Sequence, residues 1–206
     1  MKRNERYRKL IDELTLMDDI LMNFVFDDQN ECVRQLLLPI LKEKSFSIIS
    51  VRSQSIIQNT YGKDVRLDIL AKDDQGRLFD IEMQQDDHYT PPERARYYSS
   101  MLDLKHISDL WQNKGVKNPW LTIPETYVIF FTKKDHFKEN EPVYHIDRCI
   151  REKDCLPFRD KQHIIYINCS NENKDTDIGR LIHDLRQSDP DLMFNKTLSE
   201  RVKYIK

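Results

Sequence analysis

The sequence predicts an α/β fold: a central β-sheet carrying helices, with a helical entry at the N-terminus. Three observations lead there. Residues 64–85, DVRLDILAKDDQGRLFDIEMQQ, alternate with a period of two on both sides of a turn, which is a β-hairpin. Residues 126–132, TYVIFFT, form an unbroken apolar run, the mark of a strand covered on both faces. Before and after this region, Val33, Leu36, Leu37, Ile40 and Leu41, then Ile178, Leu181, Ile182 and Leu185, recur at helical spacing.

The elements follow in order. Tyr7, Leu10, Ile11 and Leu14 predict a short amphipathic helix, and residues 20–26 a second one behind Asp18 and Asp19. The third is the Leu-rich helix, with Pro39 as a kink or near-terminal turn. Residues 46–58 alternate loosely and predict the first strand, with Tyr61 and Gly62 turning the chain into the hairpin. After a polar loop holding His88, Thr90-Pro91-Pro92-Glu93 opens a helix: Thr90 as N-cap, proline at the first helical position, Glu93 three residues on. Tyr97, Met101, Leu104, Ile107 and Trp111 are its expected sheet-facing stripe, with Arg94 and Tyr98 sharing another face. Residues 113–124 connect, 142–150 and 162–168 supply further strands around a charged loop at 151–161, and helices follow at 177–187 and from Leu198 onward. We expect one domain over 1–206: a helical entry at 1–45, a sheet core at 46–168 and C-terminal helices at 174–206.

Within the hairpin, register is arithmetic. With the turn centred on Gln75, paired positions sum to 150, so Asp68 faces Glu82 and Arg66 faces Gln84, all on one side of the sheet. Directly opposed side chains lie roughly 4.5–5.5 Å apart, where like charges repel. Two facing carboxylates therefore call for a cation, and Mg²⁺ characteristically takes one or two carboxylates with water and phosphate completing its shell. A plain amphipathic hairpin with a solvated polar face gives the same alternation. Met83, between Glu82 and Gln84, points to the opposite face and should be core.

Asp68 followed by Glu82-Met83-Gln84 resembles the active-site hairpin of the PD-(D/E)xK nuclease superfamily, in particular its recombination-promoting nuclease branch, a family of transposases. The resemblance continues through Glu93-Arg94-Ala95-Arg96-Tyr97-Tyr98, Pro124 to Phe130, Tyr144 to Arg148, His163 to Asn168 and Leu181 to Leu185, and covers roughly residues 18–206. It implies a restriction-endonuclease-like core with a mixed central β-sheet, and a DNA endonuclease linked to recombination or transposition. Asp68, Glu82 and the Met83 backbone carbonyl would hold Mg²⁺ or Mn²⁺. Gln84 stands where the superfamily usually has lysine, and its amide oxygen could orient a water. Asp19 offers an additional acid, or only a charge favoured by the helix dipole. Arg94, with Tyr98, is either a phosphate contact or the partner of a core carboxylate. The family's opening signature is matched by Asp19, Phe26 and Asn30, whereas Met22 and Asn23 replace its aromatic and lysine. Related sequences usually run on past Lys206, so a shortened chain is expected. A catalytically silent nuclease fold that binds DNA or a protein is the competing expectation, motivated by Asn23 and Gln84.

Composition narrows the classes. The chain is 33% charged with a formal net charge of −2, so a DNA-binding field must be local. Candidates are Arg94 with Arg96, Lys133 with Lys134, and Arg148, Arg151 and Lys153. No apolar run approaches the ~20 residues of a membrane helix, and the N-terminus lacks a signal-peptide core, which predicts a cytoplasmic protein. Cys32, Cys149, Cys155 and Cys169 show no CxxC spacing and are expected to be reduced. With four glycines there is no phosphate-cradling loop, and no helix-turn-helix or zinc finger is present. Homodimerisation is a functional expectation, since cutting both strands needs two sites.

Overall fold

The structure, a computed structural model, describes residues 2–43, 45–59, 62–85, 90–112 and 118–206. Tyr61, His88 with its loop at 86–89, and residues 113–117 lie outside the described residues, as does the side chain of Trp111.

Three helices enter: α1 (Lys2–Glu13), α2 (Asp19–Phe26) and α3 (Asn30–Leu41). β1 (Ile48–Ile57), β2 (Val65–Asp73) and β3 (Leu78–Gln84) follow, then α4 (Pro92–Gln112) and β4 (Thr126–Thr132). β5 (Val143–Ile146), β6 (Cys149–Ile150), β7 (Leu156–Pro157), β8 (Gln162–Asn168), α5 (Asp177–Arg186) and α6 (Lys196–Ile205) complete the chain. Six strands form one mixed sheet in the order β1-β2-β3-β4-β8-β5. β1–β2–β3 is an antiparallel meander, β3, β4 and β8 are parallel, and β5 closes the far edge antiparallel. This is the α/β, restriction-endonuclease-like architecture that the sequence implied.

Each face of the sheet has its own core. Ile69, Ala71, Phe79, Ile81, Met83, Ile129, Phe131, Ile165 and Ile167 pack with α2, α3, α5 and α6. Val128, Phe130 and Tyr166 pack beneath α4 with Ala95, Met101 and Leu102. β4, the expected two-faced strand, is buried at every residue.

Hairpin register is fixed at the turn. Asp73 Oδ1 accepts from the backbone N–H of Gln75 and Arg77, and its Oδ2 accepts from Arg77 Nε at 2.6 Å. Arg77 in turn forks onto Glu43 at 2.7 and 2.8 Å. Gly76 takes φ +84, a conformation that glycine adopts without strain. With the turn locked, Ile69↔Ile81, Leu70↔Asp80, Ala71↔Phe79 and Lys72↔Leu78 pair, each summing to the predicted 150.

Four expectations are corrected. First, the period of two predicted for residues 64–85 is interrupted within β2: Val65 and Leu67 join the core beneath α4, Ile69 and Ala71 the other. The change falls at Asp68, opposite Gln54, which breaks the β1–β2 ladder with φ +51. Second, α4 begins at Pro92 and faces the sheet through Ala95, Tyr98, Ser99 and Leu102, while Tyr97 and Leu104 are exposed. The fully buried Ala95 and Ser99 let the helix approach closely, which larger residues at those positions would prevent. Third, residues 142–150 divide into β5 and β6, and the charged loop contains β7. Fourth, Cys149 and Cys155 form a disulfide, because pairing of the two-residue strands β6 and β7 brings their Cα atoms to 4.8 Å. Cys32 and Cys169 are free and buried.

Candidate active site

At the end of the hairpin the strands stop exchanging backbone bonds and side chains take over. The β2–β3 ladder ends at Ile69↔Ile81. One step further, the Asp68 backbone N–H donates to Glu82 Oε1 at 2.9 Å, and the Met83 N–H donates to Asp68 Oδ2 at 3.1 Å. Each acid thus reaches across the gap to the other strand's backbone. The two carboxylates lie close enough for the charge of Asp68 to raise Glu82, although the ladder stops one step before the pair that the register arithmetic predicted. The expected facing of Arg66 and Gln84 is not formed: Arg66 pairs with Ile56 and is exposed, while Gln84 pairs with Thr132 of β4. Met83 is in the core.

This polar face is not wet. Glu82 and Asp80 are fully buried and Asp68 is 9% exposed. Burial lifts all three acids out of the ordinary carboxylate range. For Glu82 the charge of Asp68 adds to the effect, and for Asp80 the charge of Glu82 does. Apart from the Glu82 carboxyl, neither oxygen of Asp80 has a hydrogen-bond partner among the described residues, and burial together with that neighbour favours its protonated form. Asp80 is the site residue that the sequence reading missed. Its signal was present, because it shares the parity of Glu82, but only burial separates it from a solvated strand residue.

Arg94 supplies the opposing charge from the first turn of α4. Its Nη2 donates to Glu82 Oε2 at 2.9 Å, its Nη1 to Gln84 Oε1 at 3.2 Å and its Nε to the Tyr98 hydroxyl at 3.0 Å. The guanidinium also lies over the rings of Tyr98 and Phe130. Of the two roles left open for Arg94, pairing with a core carboxylate is the one formed. Asp19 sits exposed in the first turn of α2, near enough for its charge to raise Asp68 further. Asn23, at the position of the expected lysine, accepts from Gln54 Nε2 at 3.0 Å and thereby steadies the irregular residue opposite Asp68.

The donor set suits a hard divalent cation. When ionised, the buried Asp68, Asp80 and Glu82 carry more negative charge than the Arg94 paired with Glu82 offsets, and all the ligating atoms are oxygens. Among the described residues Asp68 Oδ1 carries no hydrogen bond, and Glu82 Oε2 accepts from Arg94 and Gln84. Among the described residues no group of three His, Cys, Asp or Glu side chains is assembled as a complete cage. A two-carboxylate set with the rest of the shell left to water and phosphate is the usual Mg²⁺ arrangement.

A mixed six-stranded sheet flanked by helices, with two buried carboxylates at the splayed end of its hairpin, is a restriction-endonuclease-like architecture. Residues 22–187 match the model of the PD-(D/E)XK nuclease family transposases, and the chain belongs to that family. Comparison with curated proteins and with solved structures gave no significant match. The family match supports a nuclease-type enzyme related to transposition. It includes Asp68, Glu82, Gln84, Arg94 and Tyr98, but begins after Asp19. Among the described residues no helix is long and apolar enough to cross a membrane.

Proposed function

We propose that this protein is a divalent-metal-dependent DNA endonuclease serving recombination or transposition, acting in the cytoplasm as a single domain and pairing as a homodimer for double-strand cutting. The observation that carries the reading is that, across the end of the hairpin, the Glu82 carboxylate accepts from the Asp68 backbone N–H and the Asp68 carboxylate accepts from the Met83 backbone N–H, which holds two acids close together in a buried site.

Asp68 and Glu82 would hold Mg²⁺ or Mn²⁺, with the Met83 carbonyl as a further oxygen and Asp19 as an additional acid from α2. When bound, the ion supplies charge stabilisation for the phosphodiester and acidifies water for in-line attack. The chain's own groups do the rest. The backbone N–H groups of Asp68 and Met83 hold the two carboxylates in fixed orientation. Gln84, its amide tied by Arg94, presents its remaining acceptor capacity to the attacking water. Arg94 balances Glu82 at rest, and its guanidinium fork is matched to the non-bridging oxygens of a phosphate. Tyr98 fixes the Arg94 side chain from below.

The test is plasmid nicking with Mn²⁺ alongside calorimetric Mn²⁺ titration. Wild type should bind the ion and nick, and Asp68→Ala and Glu82→Ala should lose both. Nicking unaffected by either substitution, or wild type that takes up no ion, would leave a silent nuclease fold as the better reading.

A further inference from the structure

The parallel strands β3, β4 and β8 end side by side, and just past their ends lies a cavity of about 230 Å³ lined by Thr15, Met17, Asp18, Gln85, Lys133, Cys169 and Arg186. In open α/β sheets the crevice beyond the carboxyl ends of the strands is where ligands bind. Each strand contributes the residue that follows it: Gln85 after β3, Lys133 after β4 and Cys169 after β8. Backbone bonds hold this rim, from Lys133 N–H to the Gln84 carbonyl at 3.1 Å and from Cys169 N–H to the Thr132 carbonyl at 2.9 Å.

The charges of the rim are unequally occupied. Asp18 is spent on donors: Oδ2 accepts from the Thr15 N–H at 2.7 Å and the Thr15 hydroxyl at 2.9 Å, and Oδ1 accepts from Gln85 Nε2 at 3.2 Å. Arg186 donates through Nη1 to the Cys169 carbonyl at 3.1 Å and reaches Glu172 only at 3.5 Å. Lys133 is exposed, and its ammonium makes neither a hydrogen bond nor an ion pair among the described residues. A cation without a partner, anchored through its own backbone to the strand ends and beside a second cation, is a place for an anion.

Position identifies the anion's class. Lys133 lies one strand across from Glu82 and three residues further along, since Glu82 is in register with Phe130. At about 3.3 Å per residue and 4.8 Å between strands, that is on the order of 10 Å. A DNA strand carries one phosphate per roughly 3.4 Å of axis, so the separation corresponds to about three nucleotides. Lys133 has the parity of Phe131, on the α5 side of the sheet, whereas Arg94 stands on the α4 side. A strand reaching both must cross the sheet's carboxyl edge over Glu82.

We propose that Lys133, with Arg186, forms a subsite for a backbone phosphate of the DNA strand about three nucleotides from the bond at Asp68 and Glu82. The proposal deepens the nuclease reading and rests on it. The test is fluorescence anisotropy of the 206-residue protein with a labelled 30-base-pair duplex in chelator, across a salt series, for wild type, Lys133→Ala, Lys133→Glu, Arg186→Ala and the control Lys72→Glu, an exposed lysine at the turn end of β2 opposite Leu78. Circular dichroism would verify that each variant is folded. One lost phosphate contact lowers the slope of log K against log salt by about 0.9. Lys133→Ala should show that drop and Lys133→Glu should weaken binding on the order of tenfold at low salt, with Mn²⁺ affinity unchanged and Lys72→Glu like wild type. Lys133 variants with wild-type affinity and slope would overturn the subsite while leaving the nuclease reading intact. So would Lys72→Glu matching Lys133→Glu, or inorganic phosphate binding at Lys133 while the DNA slope stays fixed. Wild type that neither binds the duplex nor nicks plasmid would remove both.

Discussion

Asp80→Asn is the sharpest probe of the buried acid cluster. Asp80 is wholly inaccessible, and among the described residues its oxygens meet no partner apart from the carboxyl of Glu82, its main charged neighbour. A buried polar group left unsatisfied costs about 1–3 kcal/mol. The amide keeps the shape, removes the ionisable group and brings a donor to Glu82. The sign with pH follows from proton linkage. A carboxyl whose folded pKa lies above its unfolded value binds more protons when folded, so stability falls as pH rises above about 4. Removing such a group flattens that fall. We therefore expect metal-free Asp80→Asn to exceed wild type by about 1–3 kcal/mol at pH 8 and to match it only at about pH 4 and below. For a chain of this size that is about 2–4 °C in Tm per kcal/mol. Urea unfolding at the two pH values measures it. Equal destabilisation at both would show that the Asp80 oxygens have partners after all, and the charge imbalance argued for the site would go with them.

Three further outcomes follow from the same geometry. Burial pushes Asp68 up to about 6 and Glu82 up to about 8, and carboxylate ligands must be ionised to bind metal. Mn²⁺ affinity measured by calorimetry should therefore tighten steadily between pH 6 and pH 8, whereas a flat profile would place the ion elsewhere. Mn²⁺ at 100 times its Kd should add about 2.7 kcal/mol to wild-type stability and nothing to Glu82→Ala, read from thermal shifts. Disrupting the turn clamp with Arg77→Ala leaves Asp73 buried without its partner and should cost about 3–5 kcal/mol in urea unfolding. A loss under 1 kcal/mol would mean that the register is set elsewhere.

What the sequence disclosed depended on whether chemistry and burial pointed the same way. The 150-sum register was legible because Asp73, Asp74, Gln75 and Gly76 announce the turn and the arms alternate cleanly. The expectation that Asp68 and Glu82 lie close to each other followed from it. β4 was legible because an unbroken apolar run has no exposed alternative. α4 was misread in part: Met101 is buried as expected, but the rest of the buried face carries Ala95 and Ser99 while Tyr97 and Leu104 lie outside, so hydrophobicity alone does not mark the stripe. Asp80 was passed over because a buried acid and a solvated one alternate identically along a strand. The disulfide escaped notice because β6 and β7, at two residues each, are too short to carry a period.

The neutral Gln84 remains to be reconciled with a chemistry that usually has an ammonium at that position. In this fold the positive charge enters from the helix: Arg94 touches both Glu82 and Gln84, occupying the region that a lysine at position 84 would reach from the strand. Removing Arg94 leaves Glu82 buried beside Asp68 and Asp80 with no cation. A broken buried pair costs about 3–5 kcal/mol, and here the lower end applies because Arg94 is a quarter exposed and Glu82 can take up a proton instead. If the two positions share one electrostatic task, their substitutions must couple. Arg94→Ala should reduce nicking sharply. Gln84→Lys alone should gain little, since it sets a second cation against Arg94, and Gln84→Lys in the Arg94→Ala background should recover much of the activity. A double-mutant cycle on nicking rates measures the coupling. Strictly additive effects would show that Arg94 and position 84 act independently, and the charge would have to come from elsewhere on the rim.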